Sequence, residues 1–330
     1  MSNGAAAFGM GQWEIVVSNL TVIYLCGILI GKKMKDLISI ADLNSAEIQH
    51  LIESALKLKR GGTKPMLEGK ILALIFEKPS LRTRVSFDVA MNRLGGHSLM
   101  LSQAEVGLGE REPIADVARV LSRYVDGIVA RTFAHQSVAL LAKHATVPVI
   151  NGLTDEEHPC QALSDLLTIH EKKGGLEGIS VAYIGDANNV ANSLLLACSL
   201  TGTKFSIASP KGYGPKQEVL ARAQKCGGEI LVTEDVKKAV EDADVLYTDV
   251  WTSMGQEAEA KRRRVAFARY QVNGRLLALA KRDAIFMHPL PAHHGEEVAE
   301  GLLESPQSVV FDQAENRLHM QKAILAKLLK

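Results

Sequence analysis

The hydrophobic positions of this chain follow two alternating periods, and that alternation predicts an architecture before any chemistry is considered. Asn44-x-x-Glu47 has the form of a reciprocal helix cap, and Ile48, Leu51, Ile52, Ala55 and Leu56 behind it share one helical face. Ile71-Leu-Ala-Leu-Ile-Phe76 is a continuous apolar run of strand length, which suits a strand covered on both faces. A helix opening near Ser80 and ending at Gly95-Gly96 comes next, then a helix opening at Pro113, strand 127–131 and strand Val147-Pro-Val-Ile-Asn151. Glu157 to Lys172 reads as one long helix. Past Gly174-Gly175 the pattern resumes with strand 179–184, helix 190–201, strand 204–208, helix 215–225 and strands 229–233, 244–249 and 284–288. Strands spaced by helices of this length pair in parallel through right-handed crossovers. The expected fold class is therefore α/β, with two doubly wound parallel-sheet domains linked by crossing helices. Ligands in such sheets sit beyond the carboxyl ends of the strands.

Composition narrows the function classes. The chain has 330 residues, 47% of them hydrophobic and 23% charged, with a formal charge of +1, so it has room for two domains and no bias toward a polyanion. Nucleic acid and membrane are not expected partners. Cys26, Cys160, Cys198 and Cys226 lie far apart, without the paired spacing of a metal site or a disulfide framework. A reducing, cytoplasmic setting follows as the expectation, with no metal and no cofactor. Residues 15–30 are apolar but interrupted by Ser18, Asn19 and Thr21, and lysines follow them instead of preceding them, which suits neither a signal peptide nor a membrane span. Residues 1–33 are expected to be a disordered N-terminal extension or the product of an upstream start.

The chemistry concentrates where the first apolar strand runs into a helix. Phe76-Glu-Lys-Pro-Ser80-Leu81-Arg82-Thr83-Arg84-Val-Ser-Phe-Asp88 puts two arginines and two hydroxyls at a helix N-terminus, whose unpaired N–H groups and positive dipole end attract an anion. Residues two apart on a helix point to opposite sides. If Arg82 faces a phosphate, Arg84 faces away, and the expectation for it is a buried pair with an acid. A solvated basic turn is the plainer alternative.

The segment resembles the carbamoyl-phosphate motif of the aspartate and ornithine carbamoyltransferase superfamily. Four further signatures occur in that family's order: Ala130-Arg131-Thr132, His158-Pro159-Cys160-Gln161, Asp249-Val-Trp-Thr-Ser253-Met254-Gly255 and His288-Pro289-Leu290-Pro291. The likeness runs from about Met34 to the C-terminus and favours the ornithine branch. It implies a carbamoyl-phosphate domain of residues 34–172 to which a last helix, about 313–330, returns, and an ornithine domain of residues 173–312. It also implies transfer of the carbamoyl group from carbamoyl phosphate to the δ-amine of L-ornithine, giving citrulline and phosphate, in a homotrimer or a multiple of trimers.

By the same resemblance, Ser80, Leu81, Arg82 and Thr83 hold the phosphate, with Arg317 as a further contact. Arg131, His158 and Thr83 polarise the carbonyl oxygen, with Arg82 beside them as a fourth catalytic group, and Gln161 receives the carbamoyl amide. Asn189, Asp249, Ser253, Met254, Pro289 and Leu290 meet the ornithine. Read without the family, Arg317 is surface charge, His158 is a helix-entry core residue, and Gly185-Asp-Ala-Asn-Asn189 is a plain strand-to-helix turn that lacks the glycine spacing of a dinucleotide loop.

Two departures mark this chain. Pro289 stands where ornithine enzymes usually carry cysteine, a form seen in the aspartate branch, yet Ala292 replaces the arginine by which that branch meets its extra carboxylate. Gly107 stands where relatives often carry a glutamine or histidine that reaches the neighbouring subunit's carbamoyl phosphate. The alternatives kept open are another amine (acetylated or succinylated ornithine, putrescine or aspartate) and a homologue that binds carbamoyl phosphate without turnover.

Overall fold

The computed structural model describes residues 34–61 and 65–330. The expectations for residues 1–33 lie outside the described residues. Both sheets form as the sequence predicts. In the first half, β1 (Ile71–Phe76), β2 (His97–Ser102), β3 (Gly127–Arg131) and β4 (Val149–Leu153) pair entirely in parallel in the order β2-β1-β3-β4. Around them run α1 (Ser45–Arg60), α2 (Leu81–Arg93), the short α3 (Gln103–Val106), α4 (Ile114–Leu121), α5 (His135–His144) and α6 (Pro159–Lys173). The second half pairs β5 (Ser180–Ile184), β6 (Lys204–Ala208), β7 (Ile230–Thr233), β8 (Val245–Thr248) and β9 (Ile285–Met287) in the order β7-β6-β5-β8-β9, again all parallel. Its helices are α7 (Asn189–Leu200), α8 (Gln217–Lys225), α9 (Val236–Val240), α10 (Ala260–Phe267), α11 (Gly274–Leu277) and α12 (Val310–Leu329).

Local chemistry explains the framework. The predicted cap forms in both directions: Asn44 accepts from the Glu47 N–H while the Glu47 carboxylate accepts from the Asn44 N–H, so two otherwise orphaned donors at the start of α1 are satisfied. Ile48, Leu51, Ile52 and Ala55 are buried, as one helical face requires. The strand missed from sequence is β2. As an edge strand with a partly exposed face, it offers no continuous apolar run to recognise. Pro113 caps α4 from outside instead of opening it, β4 begins two residues later than predicted, and the last helix begins at Val310.

Each sheet reverses its direction of winding once, between β1 and β3 in the first and between β5 and β8 in the second. Loops diverge at such a point and leave a crevice beyond the strand ends. The loops that carry Ser80 to Thr83, Arg131, Asn189 and Asp249 leave the carboxyl ends of these same strands, after β1, β3, β5 and β8. Helix α12 then packs against α1, α2 and α6, burying Met320, Ile324 and Leu325, so the end of the described chain covers the first sheet's helical layer. One continuous core joins both halves, from Leu72 and Val129 through Leu163 and Leu194 to Tyr183 and Tyr247. No helix among the described residues is long and apolar enough to cross a membrane.

Candidate active site

Ser80 caps α2 by accepting from the Thr83 N–H at 3.2 Å, which turns the first turn of that helix toward the crevice. Arg82 is half-buried on the crevice side, and its guanidinium makes no hydrogen bond among the described residues. Burial lowers its pKa, and nearby Asp249 offsets part of that. Arg84 corrects an expectation: it is exposed on the far side of α2 and pairs with no acid among the described residues. The two-residue offset was right about direction. At that point of the helix the far side is solvent, so no buried acid is needed.

Arg131 ends β3 and is almost fully buried, and its Nε has no partner among the described residues. Burial, together with the neighbouring Arg317 and Arg82 charges, pulls its pKa down to about 10. His158 caps α6; its backbone N–H donates to Ser193 Oγ at 2.8 Å and its Nδ1 is unpartnered. Desolvation, reinforced by Arg317 and Arg131, holds the His158 imidazole well below its usual range, so it is neutral at neutral pH. Arg317 reaches in from α12, donating from Nη1 to Gln161 Oε1 at 2.5 Å and from Nη2 to Thr83 Oγ1 at 3.2 Å, with Nε unpartnered. Three guanidinium groups and an imidazole thus surround one space, and among the described residues no carboxylate hydrogen-bonds to any of them. Such an arrangement suits an anion.

The opposite wall comes from the second sheet. Asp249, after β8, is buried; it accepts from Asn188 Nδ2 at 2.7 Å and from the Val250 N–H at 2.8 Å. Burial raises its pKa, and His288 offsets part of the shift. Asn189 opens α7 and donates its amide to the Thr154 carbonyl at 2.5 Å, bridging to the loop after β4. Ser253, the exposed Met254, Pro289 and Leu290 line the same cleft. The cleft therefore brings together every predicted site residue: Ser80, Leu81, Arg82, Thr83, Arg131, His158, Gln161, Asn189, Asp249, Ser253, Met254, Pro289, Leu290 and Arg317.

His288 does not join them. It is fully buried, accepts from the Leu290 N–H at Nδ1 and meets Glu297 through Nε2 at 3.3 Å, so it shapes the turn that presents Pro289 and Leu290. His293, Glu296 and Glu297 approach within 4.8 Å of one another, but Glu296 pairs with Arg264, and Glu297 accepts from the His293 N–H as well as meeting His288. Bonds within that loop account for the grouping.

Several residues in or beside the cleft escaped the sequence reading. Lys78 is buried against Asp155, with its ammonium 4.2 Å from the Phe133 ring centre. Arg263 bridges three loops, donating from Nη1 to Asp186 Oδ2 at 2.9 Å and to the Trp251 carbonyl at 3.1 Å, and from Nε to Glu259 at 3.1 Å, over the face of Tyr213. In sequence it sits in Lys261-Arg-Arg-Arg264, which reads as a solvated basic run. Only tertiary structure separates it from its neighbours.

The geometry agrees with comparisons to known proteins. Residues 35–171 match the model described as aspartate/ornithine carbamoyltransferase, carbamoyl-P binding domain, and residues 177–328 match that of the Asp/Orn binding domain. The chain is 54% identical over 305 residues to an ornithine carbamoyltransferase of Anoxybacillus flavithermus, covering 90% of this chain and 97% of that one. It is 53% identical over 309 residues to that of Pyrococcus abyssi, covering 91% and 98%. Among solved structures, the ornithine carbamoyltransferase of Pyrococcus furiosus superposes with a TM-score of 0.87 at 54% identity, covering 89% of this chain and 97% of that one. An acetylornithine transcarbamylase complexed with acetylcitrulline superposes with 0.83 at 32% identity, covering 90% and 100%.

Proposed function

We propose, from the premise that the chain belongs to the aspartate/ornithine carbamoyltransferase family, that it transfers the carbamoyl group of carbamoyl phosphate to the δ-amine of L-ornithine, giving L-citrulline and phosphate in arginine metabolism. The observation that carries this reading is the convergence of Arg131, Arg317, Arg82 and neutral His158 on one space, with buried nitrogens left unpartnered. Carbamoyl phosphate is a dianionic mixed anhydride. Its phosphoryl oxygens suit the α2 N-terminus, with Ser80, the Leu81 backbone, Arg82, Thr83 and Arg317.

The carbonyl oxygen faces Arg131, His158 and Thr83, whose donors meet the oxyanion as it forms, and Gln161 Oε1 accepts from the carbamoyl amide. The amine nitrogen forms a bond to the carbonyl carbon, the bond to the phosphate oxygen breaks, and the amine's proton leaves with or through the phosphate. A free δ-amine titrates near 10.4, so exposing its lone pair near neutral pH costs about 4 kcal/mol, which the cleft has to offset. Asp249 suits the α-ammonium, Asn189 the α-carboxylate, and Ser253, Met254, Pro289 and Leu290 the chain of the amino acid.

In this reading residues 34–172 with helix 313–330 form the carbamoyl-phosphate domain and residues 173–312 the ornithine domain. Support comes from α12, which packs on α1, α2 and α6 and lends Arg317 across the chain. The assembly we propose is a homotrimer; exposed Leu81 and Val85 on α2 and Leu99 on edge strand β2 offer apolar surface for it. Gly107 brings no side chain to such a shared site. The setting we propose is the cytoplasm, in keeping with buried thiols at Cys160 and Cys198 that form no disulfide.

A colorimetric ureido assay tests the reading, comparing ornithine with N-acetylornithine, N-succinylornithine, putrescine and aspartate. Ornithine is expected to give the highest kcat/KM. Preference for an acylated amine would instead group the chain with its acetylornithine transcarbamylase neighbour, and carbamoyl-phosphate binding without turnover of any amine would leave a binding protein.

A further inference from the structure

We infer that Asp165 is a positioning residue for the carbamoyl end of the cleft: it fixes which end of the Gln161 carboxamide faces the substrate. This rests on the function proposed above. Asp165 lies one helical turn beyond Gln161 on α6 and is fully buried. Its Oδ1 accepts from Gln161 Nε2 and from Gln313 Nε2, each at 2.8 Å, and its Oδ2 accepts from the Tyr247 hydroxyl at 2.9 Å. At the other end of the same carboxamide, Arg317 donates to Gln161 Oε1. An ionised carboxylate only accepts and a guanidinium only donates, so a carboxamide held between them has a single orientation. That orientation presents oxygen to the cleft, and a carbamoyl NH₂ needs an acceptor. Flipped, the glutamine would set NH₂ against NH₂ and against Arg317.

The site keeps Asp165 ionised at some cost. Desolvation pushes its carboxyl up to about 6, while the Gln161, Gln313 and Tyr247 donors and the charge of Arg317 oppose the shift. Tyr183 on β5 and Cys198 on α7 are the remaining titratable neighbours. An apolar residue would avoid that cost but would leave Gln161 free to turn. The same carboxylate also ties α6 to β8, the strand that leads into Asp249, and to Gln313, whose Oε1 accepts from the His288 N–H at 2.9 Å.

The test is a double-mutant cycle on the full chain with D165N, Q161A and D165N/Q161A. Carbamoyl-phosphate affinity is measured by calorimetry without ornithine, and kcat/KM with it. D165N replaces a charged acceptor with a neutral one that must divide its two ends among three donors. It is expected to lower carbamoyl-phosphate affinity and kcat/KM about tenfold, leaving the ornithine KM within about twofold. In the Q161A background the same change should cost less than about twofold, because its target is gone. An equal loss in both backgrounds, or a change in melting temperature alone, overturns the inference. Should D165N not fold, Q161E decides. It keeps an acceptor toward Arg317 and the carbamoyl group but cannot donate to Asp165, so an approximately tenfold loss of carbamoyl-phosphate affinity is expected and wild-type affinity refutes the role. Absence of citrulline from the wild-type chain would sink the proposed function, while the calorimetric arms, which need no amine, still decide the role of Asp165.

Discussion

Replacing Arg263 with methionine removes a side chain that ties the loops after β5, β6 and β8 together. Arg263 and Asp186 are both nearly buried, and the change leaves a carboxylate in a dry site without its cation. Breaking a buried pair from one side costs about 3–5 kcal/mol when the remaining charge cannot escape. Here it can. Desolvation already holds Asp186 near 6 despite Arg263, so its ionisation favours unfolding: the stability it contributes is present below the ordinary carboxylate value and is lost as pH rises through about 6. Without Arg263 that titration moves higher still.

R263M is therefore expected to cost about 3 kcal/mol at pH 8, where Asp186 must ionise. At pH 5, where it takes a proton and the bonds lost are those to Trp251, Glu259 and a neutral Asp186, the expected cost is about 1 kcal/mol. Urea unfolding followed by tryptophan fluorescence measures both, with Trp251 stacked 5.9 Å from Phe267 as a local reporter. The double variant D186N/R263M should recover about 2 kcal/mol at pH 8. Equal losses at the two pH values, or no recovery, would refute the account.

Other outcomes follow from the same geometry. R263K, which keeps a charge but not the three-way fork, is expected to raise the ornithine KM about tenfold with the carbamoyl-phosphate KM little changed, as steady-state kinetics would show. R131A should lower kcat by about 10²–10³ in the citrulline assay while the protein stays folded by circular dichroism. His158 is neutral across the working range, so carbamoyl-phosphate affinity should show no transition assignable to it between pH 6 and 8; a transition present in wild type and absent in H158Q would contradict this. Gly107 ends α3 in the left-handed region (φ 57°), and a Cβ there would lie 2.5 Å from Arg111 Cβ, so G107A should destabilise by about 1–2 kcal/mol in the same urea assay. P289C is expected to raise kcat/KM for ornithine if a thiol at that turn supplies a polar contact that proline lacks.

The chain's own pattern revealed the two sheets because their central strands are continuous apolar runs, and it hid β2 because an edge strand is not. The loops after β1 and β3 were legible from their own residues, since arginines at a strand end are unusual for a turn, whereas the others stood out only through the family resemblance. Gln313 and Arg263 were not legible, and Arg317 was so only through that resemblance. Each belongs to a helix whose other face is ordinary, and what distinguishes it is a partner far away in sequence, such as Gln161 for Arg317 or Asp186 for Arg263. Arg84 shows the opposite failure, where helical geometry gave the direction but could not tell buried from wet.

The placement of α12 bears on how such chains can be recombined. A chimera joined near residue 174 would take its amine-selecting half from one parent, and with it that parent's Arg317 and Gln313. Under the function proposed above, a donor block chosen only to change the acceptor amine would thereby rewire the grip on the acyl donor too. Clean exchange of specificity calls for two crossovers, the second ahead of Val310.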